Sequence, residues 1–333
     1  MRKDSQPQRR PNGKGKGKGR ASPAAEPRAN LYDEVTAKII AELEAGTFPW
    51  VRPWGRAGAG RPGLPRNAAT GRRYWGVNVL LLWGAGFSEG YASQNWLTFR
   101  QALAAGGSVR KGERGTTVVY ADRFTPEAEK ERARETGEDA RVVPFLKRFT
   151  VFNLDQCEGL DRLAPEPAPL PEREIVPRAE ALIRASCADL RIGGDHAYYH
   201  PGEDYIRVPP QPAFFAQINY YRTALHELTH WTGHPTRLRR DQSGGFGTPA
   251  YAREELAAEL GSAFLCAALG VAPTVRHADY LASWLTVLRS DNRAIFRAAG
   301  QASKAADYLL AFDAPGAGEA AANAALEAGR AAA

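Results

Sequence analysis

The chain has 333 residues, of which 44% are hydrophobic and 10% aromatic, and this fits a soluble globular protein of about two domains. It has no apolar run of about 18 residues and no apolar segment near the N-terminus, so the sequence predicts neither a membrane helix nor a secretory signal. We therefore expect a cytoplasmic protein with no membrane partner; the sequence does not indicate an oligomeric state. The three cysteines are widely spaced and form no C-x-x-C pair, which indicates neither a disulfide framework nor a cysteine zinc site.

The net charge of +7 comes from the first 29 residues, which carry nine Lys or Arg against Asp4 and Glu26. Repeated Gly-Lys pairs in this segment predict a disordered basic arm, since it has too little apolar surface to fold alone. The rest of the chain is neutral overall. The basic character of the whole sequence therefore does not by itself predict nucleic-acid binding.

Residues 30–164 read as an α+β domain. The predicted elements are helices at 31–45, 78–83 and 96–103 and strands at 116–121 and 142–154. We expect the two strands to pair as a hairpin across the charged insertion 126–139.

This first domain contains a local basic block, with ten Lys or Arg and two acidic residues between positions 52 and 114. Aromatic residues are interleaved with the cations, as a single-stranded nucleic-acid groove requires, because bases stack on rings while cations follow the backbone. Trp and Tyr are also common core residues, so we expect about half of these aromatics to be buried. The predicted DNA-binding residues are Arg52, Trp54, Arg66, Arg72, Arg73, Tyr74, Trp75, Trp96, Arg100, Arg110 and Lys111.

A Pro-rich linker at 165–171 separates the first domain from a mainly helical second domain at 172–312, and an Ala/Gly-rich tail follows at 313–333. The second domain is predicted to contain helices at 176–187, 219–232 and 251–261 and further helix over 279–312. Residues 197–208 read as a hairpin, which we expect to lie beside the site described next and to template an extended peptide.

The sequence H-E-x-x-H occurs at residues 226–230 within the predicted helix 219–232. Residues four apart share a helix face, so His226 and His230 can bind one zinc ion, with Glu227 beside it as the general base of a metallopeptidase. Chance occurrence of the motif is disfavoured by the apolar face around it and by the helix stop at Gly233.

A catalytic zinc takes three protein ligands, so a third ligand is needed. Glu255 is the favoured candidate, with Glu259 one turn later as the carboxylate that orients a ligating histidine, the gluzincin arrangement. Glu254 is expected to face elsewhere. His234 is the alternative third ligand, although the metzincin pattern would require a histidine where Thr236 stands. Tyr220, Tyr221 and Tyr251 are candidates for stabilising the oxyanion.

Two sets of motifs resemble plasmid antirestriction proteins of the ArdC type, whose N-terminal domain also occurs on TraC-type primases. The motifs are N-x-x-T-G-x-x-Y-x-G-x-N from Asn67, W-L-T-F-x-Q-A from Trp96, G-G-x-V-R-K-G-E from Gly106, H-E-L-T-H-W-T-G-H from His226 and Y-x-x-E-E-L-x-A-E from Tyr251. The resemblance covers nearly all of residues 30–311. It implies an N-terminal domain that binds single-stranded DNA and a C-terminal zincin-like metallopeptidase domain with a Zn²⁺ cofactor.

Three functions follow as alternatives. The first is a single-stranded-DNA-binding antirestriction protein of a mobile element that carries a zinc metallopeptidase domain. The second is an active metallopeptidase, with a protein or peptide substrate, that uses DNA binding only for targeting. The third, a primase-associated DNA-binding protein, is disfavoured because the sequence contains no primase active-site motif.

Overall fold

A computed structural model of the chain describes residues 30–50, 63–163, 172–271 and 280–313. In these ranges the chain forms the predicted α+β architecture, with a β-rich N-terminal half and a mainly helical C-terminal half. The helices are α1 (Leu31–Glu44), α2 (Val77–Glu89), α3 (Phe99–Ala104), α4 (Glu127–Thr136), α5 (Glu172–Ala185), α6 (Gln217–Trp231), α7 (Pro249–Leu269), α8 (Leu281–Ser290) and α9 (Ala294–Leu310). The strands are β1 (Arg66–Asn67), β2 (Asn95–Leu97), β3 (Ser108–Val109), β4 (Thr116–Phe124), β5 (Val143–Asn153), β6 (Cys157–Glu158), β7 (Asp189–Ile192), β8 (Tyr198–His200) and β9 (Tyr205–Val208).

The main N-terminal sheet has the strand order β1-β2-β5-β4. The predicted hairpin is confirmed, because β4 and β5 pair antiparallel from Thr116 opposite Val151 to Phe124 opposite Val143. The charged insertion between them forms α4. The helix predicted from residue 96 begins only at Phe99, because Thr98 caps it in a capping box with Gln101, and the preceding residues join the sheet as β2.

Among its described residues, the C-terminal half combines a small sheet of order β7-β9-β8 with helices α5 to α9. The predicted hairpin is confirmed by antiparallel pairing of β8 with β9. The helical region predicted at 279–312 contains α8 and α9 among its described residues, and between them the Arg293 amide donates to the Asp291 side chain at 2.9 Å. Helix α7 is longer than the predicted 251–261, and most of its residues are buried. It is the central helix of this half.

The two halves share one hydrophobic core, which the sequence did not predict. Trp50 packs edge-on against Trp284 with ring centroids 5.9 Å apart, and Trp83 packs against Phe264 at 5.6 Å. The Thr36 hydroxyl donates to the Asn292 carbonyl at 2.7 Å, so α1 is also hydrogen-bonded to the C-terminal half. Separating the halves would expose these tryptophans to water.

The predicted arm 1–29, the linker 165–171 and the tail after Asp313 lie outside the described residues. Within the described ranges, no helix combines the length and apolarity that crossing a bilayer demands.

Candidate functional site

Helix α6 carries the H-E-x-x-H residues on a buried face. His226, Glu227 and His230 are 2%, 5% and 9% exposed, and the two imidazole rings lie 4.9 Å apart between centroids. The helix ends at Trp231, after which the Thr232 amide donates to the Leu228 carbonyl at 3.0 Å. The predicted helical spacing of the two histidines is therefore present.

Helix α7 brings Glu255 against both histidines. Its carboxylate oxygens lie 3.6 Å from His226 Nε2 and 3.5 Å from His230 Nε2. One donor atom from each of the three residues lies within 4.8 Å of the others. Two imidazole nitrogens and one carboxylate oxygen are a donor set that suits zinc and other divalent metals, so these residues fit a metal centre.

The close crossing of α6 and α7 depends on Gly261. A Cβ atom at this position would lie 2.4 Å from Thr229 Cγ2, far inside van der Waals contact. The Thr229 hydroxyl donates to the Leu225 carbonyl at 2.8 Å, which holds that side chain in place against the glycine. Absence of a side chain at Gly261 thus lets the helix bearing Glu255 approach the helix bearing the histidines.

A second carboxylate lies behind each histidine. Glu259 Oε2 lies 3.7 Å from His226 Nδ1, next to the ring that it is predicted to orient. His230 Nδ1 donates to Glu254 Oε1 at 3.0 Å. The expectation that Glu254 faces elsewhere is therefore wrong. Glu254, Glu255 and Glu259, all on α7, thus lie next to the two histidines of α6.

Glu254 is held by a loop that the sequence did not connect to the site. The Arg240 guanidinium, whose side chain is 3% exposed, donates to the Glu254 carboxylate at 2.8 and 2.9 Å. Gln242 Nε2 donates to the same carboxylate at 3.0 Å and to the His230 carbonyl at 2.7 Å. Such charge-assisted hydrogen bonds offset the free-energy cost of removing the carboxylate from water. The sequence feature that could have indicated this contact is the arginine and glutamine, Arg240 and Gln242, that follow the helix stop at Gly233.

These contacts set the charges of the clustered side chains. Burial alone would raise the pKa of Glu254, but His230 and Arg240 outweigh it and lower that pKa to about 2. Burial likewise opposes ionisation of Glu255, whose pKa His226 and His230 bring far below its usual range. Burial would lower the pKa of His230, yet hydrogen bonds to Glu254 and Glu255 raise it to about 10. Both glutamates are therefore anionic and matched to positive charge.

The alternative ligand His234 lies outside this cluster. It follows the end of α6, and its Nδ1 lies 2.8 Å from the Thr236 hydroxyl and accepts from the Thr236 amide at 3.3 Å. The group that brings three donor atoms together contains His226, His230 and Glu255 and not His234. Of the two candidates for the third ligand, the geometry favours Glu255.

A cavity of about 300 Å³ opens beside the cluster, and Glu227 lines it together with both histidines and Glu255. One side is formed by residues around β8, including Tyr198 and Tyr199, and another by Tyr251 and Tyr280. Of the three tyrosines predicted as oxyanion candidates, Tyr251 lines this cavity. Tyr220 and Tyr221 are 5% and 2% exposed and do not line it.

The predicted DNA-binding residues have different environments. Trp96 is 1% exposed and packs against Leu82, Val118 and Val151, so no ring face is available to a base and this prediction is wrong. Arg52 and Trp54 lie outside the described residues. Tyr74 is half-buried. The exposed residues are Arg66, Arg72, Arg73, Trp75, Arg100, Arg110 and Lys111. Arg110 is already engaged, because it donates to Glu113 at 2.9 Å and to the Asp155 carbonyl.

Two exposed aromatics that the sequence analysis missed lie beside Trp75. Tyr120 on β4 and Phe149 on β5 are 57% and 46% exposed, and their ring centroids are 6.4 Å apart. With Trp75, which is 46% exposed, and Arg73 they line a groove of about 760 Å³ that we call the aromatic groove. Tyr120 and Phe149 are each two residues from a buried valine, Val118 and Val151, and so lie on the same faces of their strands, at the point where the core ends.

Comparison with known proteins gives two family matches. Residues 29–152 match the N-terminal domain of anti-restriction factor ArdC, and residues 177–301 match the zincin-like metallopeptidase family. An uncharacterised protein, y4eC, of Sinorhizobium fredii is 43% identical over 291 residues, which are 85% of this chain and 92% of that protein. Two DNA primase TraC proteins of Escherichia coli are each 40% identical, but this chain spans only 27% and 20% of their lengths.

Two solved structures are similar along nearly their whole length. The metal-free crystal structure of antirestriction protein ArdC from plasmid R388 is 42% identical, with a TM-score of 0.70 over 85% of this chain and 97% of that chain. Its Mn(II)-bound form is 40% identical, with a TM-score of 0.69 over 86% and 98% of the two chains. The chain therefore belongs to the ArdC-type family of plasmid antirestriction proteins, with an ArdC N-terminal domain followed by a zincin-like metallopeptidase domain.

Proposed function

We propose that this protein is a metal-dependent peptidase whose zinc is held by His226, His230 and Glu255. The observation that supports this most is the meeting of the three donor atoms within 4.8 Å at a cavity that Glu227 also lines. A divalent metal held there supplies Lewis acidity, which polarises a scissile carbonyl and lowers the pKa of a water toward about 7. Binding of Mn(II) by a relative in its crystal structure is consistent with a divalent ion at this site.

Glu227 acts as the general base. Its carboxylate lies beside the ligand histidines and faces the cavity, where it accepts the proton of the attacking water and returns it to the leaving amine. The carboxylates behind the histidines have a different role. Glu254 accepts from His230 Nδ1, and Glu259 lies 3.7 Å from His226 Nδ1, so both carboxylates favour ring orientations in which the Nε2 atoms face Glu255.

Tyr251 is the proposed donor to the carbonyl oxygen as negative charge develops on it. Its hydroxyl lies 3.1 Å from that of Tyr280 and also interacts with Glu255, which places it next to the donor cluster. Burial, with contributions from Tyr280 and Glu255, raises the pKa of Tyr251, so the hydroxyl keeps its proton and can donate it in a hydrogen bond.

The proposed peptidase activity is tested with the variant Glu227→Gln. The matched control is Glu203→Gln, because Glu203 is exposed. We expect Glu227→Gln to retain zinc and to lose all cleavage in a peptide library and a host-lysate digest, whereas the control cleaves normally. If the zinc-loaded wild-type protein cleaves nothing in either assay, the C-terminal domain is a metal-stabilised scaffold instead.

We further propose that the aromatic groove binds single-stranded DNA, as part of the antirestriction role of the family. Trp75, Tyr120 and Phe149 offer ring area for stacking, and Arg73 at the groove and Arg72 beside it offer positive charge to phosphates. Stacking does not depend on base identity, so little sequence preference is expected. The aromatic groove has a volume of about 760 Å³, which falls within the usual range of ligand sites.

The DNA proposal is tested by fluorescence anisotropy of a labelled oligothymidylate with the full chain at several salt concentrations. We expect binding that weakens steeply with salt, because phosphate contacts release counterions, and that is stronger than binding of the same length of duplex. Equal affinity for the single strand at low and high salt would contradict the proposal.

A further inference from the structure

A glycine-rich loop between α6 and α7 places a phenyl ring at the rim of the metal cavity. Phe246 is 83% exposed and stands among Gly244, Gly245 and Gly247. Its ring centroid lies 5.5 Å from that of Tyr251 and 6.4 Å from that of Tyr280. Both of these tyrosines line the cavity, so the three rings form one surface beside the donor cluster, which we call the aromatic wall.

The aromatic wall is supported from behind. Tyr251 and Tyr280 approach through their hydroxyls at 3.1 Å, and Tyr280 stacks on Trp284, which is fully buried. The loop that presents Phe246 is also held at its base. Gln242 donates to Glu254, and a Cβ atom at Gly244 would lie 2.4 Å from the Tyr251 amide nitrogen. The exposed ring thus projects from a fixed base.

The charges around the cavity restrict what the wall can face. The described residues that line it include the carboxylates of Glu227, Glu254 and Glu255 but no Lys or Arg. An acidic substrate side chain at the wall would therefore lose water without a described Lys or Arg to pair with it, which is unfavourable. A small side chain would leave Phe246 in water, whereas a bulky apolar one would remove the ring from solvent.

We propose that Phe246, Tyr251 and Tyr280 form a specificity subsite for a bulky apolar or aromatic side chain on a residue that flanks the scissile bond. This inference rests on the proposed peptidase function and names its substrate class. Edge-to-face contact between aromatic rings adds to the burial of apolar area, so phenylalanine is the preferred side chain, followed by leucine.

The subsite is tested by the binding of amino-acid hydroxamates, which chelate the metal, to the zinc-loaded full chain carrying Glu227→Gln. Calorimetry with the Phe, Leu, Gly, Asp and Lys derivatives should rank Phe first and Asp last. Adding Phe246→Ala should weaken the Phe derivative by about three- to tenfold, the size of one aromatic contact, and leave the Gly derivative unchanged. Phe215→Ala is the matched control, since Phe215 is fully exposed and, among the described residues, has no ring contact with Tyr251 or Tyr280.

Library cleavage by the protein with native Glu227 separates the two proposals. If the Phe derivative ranks first and Phe246→Ala removes that preference, the subsite holds even where no peptide is cleaved, and only the peptidase fails. If peptides are cleaved but the Gly or Lys derivative binds as tightly as Phe, or Phe246→Ala and Phe215→Ala behave alike, the subsite is overturned while the peptidase stands.

Discussion

The metal centre and the aromatic groove are built in opposite ways. His226, His230 and Glu255 are buried, and each histidine has a second carboxylate behind it. Trp75, Tyr120 and Phe149 are about half exposed and lie at the edge of the core. A metal requires donors fixed in position, while a single strand requires accessible ring faces and cations. Substitutions should therefore have large, specific effects at the first site and graded, additive effects at the second.

The largest effect is expected from loss of the third ligand. Glu255→Ala removes the carboxylate that faces both Nε2 atoms. Loss of a residue that only orients a ligand lowers metal affinity by up to about 100-fold, so loss of this ligand itself should lower zinc affinity by more than that. His234→Ala should leave it nearly unchanged, because His234 lies outside the cluster. Competition with a chromophoric chelator measures both variants. The reverse ranking would transfer the third-ligand role to His234.

The next effect tests the carboxylate that the sequence analysis placed elsewhere. Glu254→Gln keeps the side-chain volume but removes the charge that faces His230 and Arg240, so zinc affinity should fall by about 10- to 100-fold. The same chelator competition applies, with Glu203→Gln as the control. An affinity equal to that of the control would mean that Glu254 does not orient His230.

The aromatic groove should show smaller, separable losses. Tyr120→Ala and Phe149→Ala each remove one exposed ring, and one stacked base contributes about 1–3 kcal/mol, or roughly five- to 150-fold in affinity. We expect the lower end because both rings remain partly in water. Phe124→Ala is the matched control, since Phe124 is 49% exposed on the same hairpin but does not line the groove. Equal anisotropy curves for all three variants would place the DNA elsewhere.

The smallest effect concerns the cations. Arg72→Ala with Arg73→Ala should reduce the salt dependence of single-strand binding by about one to two units of slope if both contact phosphate. Zinc affinity should not change, because neither residue lines the metal cavity. An unchanged slope would show that these exposed arginines do not contact the strand.

The same contrast explains what could be predicted from the sequence. Helical periodicity places His226 and His230 on one face, and the gluzincin arrangement of carboxylates on the next helix indicates Glu255, so the ligand set could be proposed without a structure. Glu254 was missed because its role depends on Arg240 and Gln242, in a loop with no regular pattern. Trp96 was misassigned because its environment is a strand, β2, whose burial comes from distant residues. Tyr120 and Phe149 could not be separated from core residues on the same strands.

The domain organisation was also only partly predictable. Apolar periodicity identified helices in both halves but could not show that α1 and α2 pack on α7 and α8, where Trp50 meets Trp284 and Trp83 meets Phe264. Each half alone would lose part of this core. The measurements above therefore use the full chain, and the boundary at 165–171 stays a prediction.

We propose that His226, His230 and Glu255 hold one divalent metal. Anomalous diffraction from crystals of the zinc-loaded protein, collected on both sides of the zinc absorption edge, tests it most directly. We expect a single strong peak at bonding distance from both histidine Nε2 atoms and a Glu255 oxygen, about 2.0–2.2 Å. A peak coordinated by His234, or no peak at the H-E-x-x-H helix, would contradict the account.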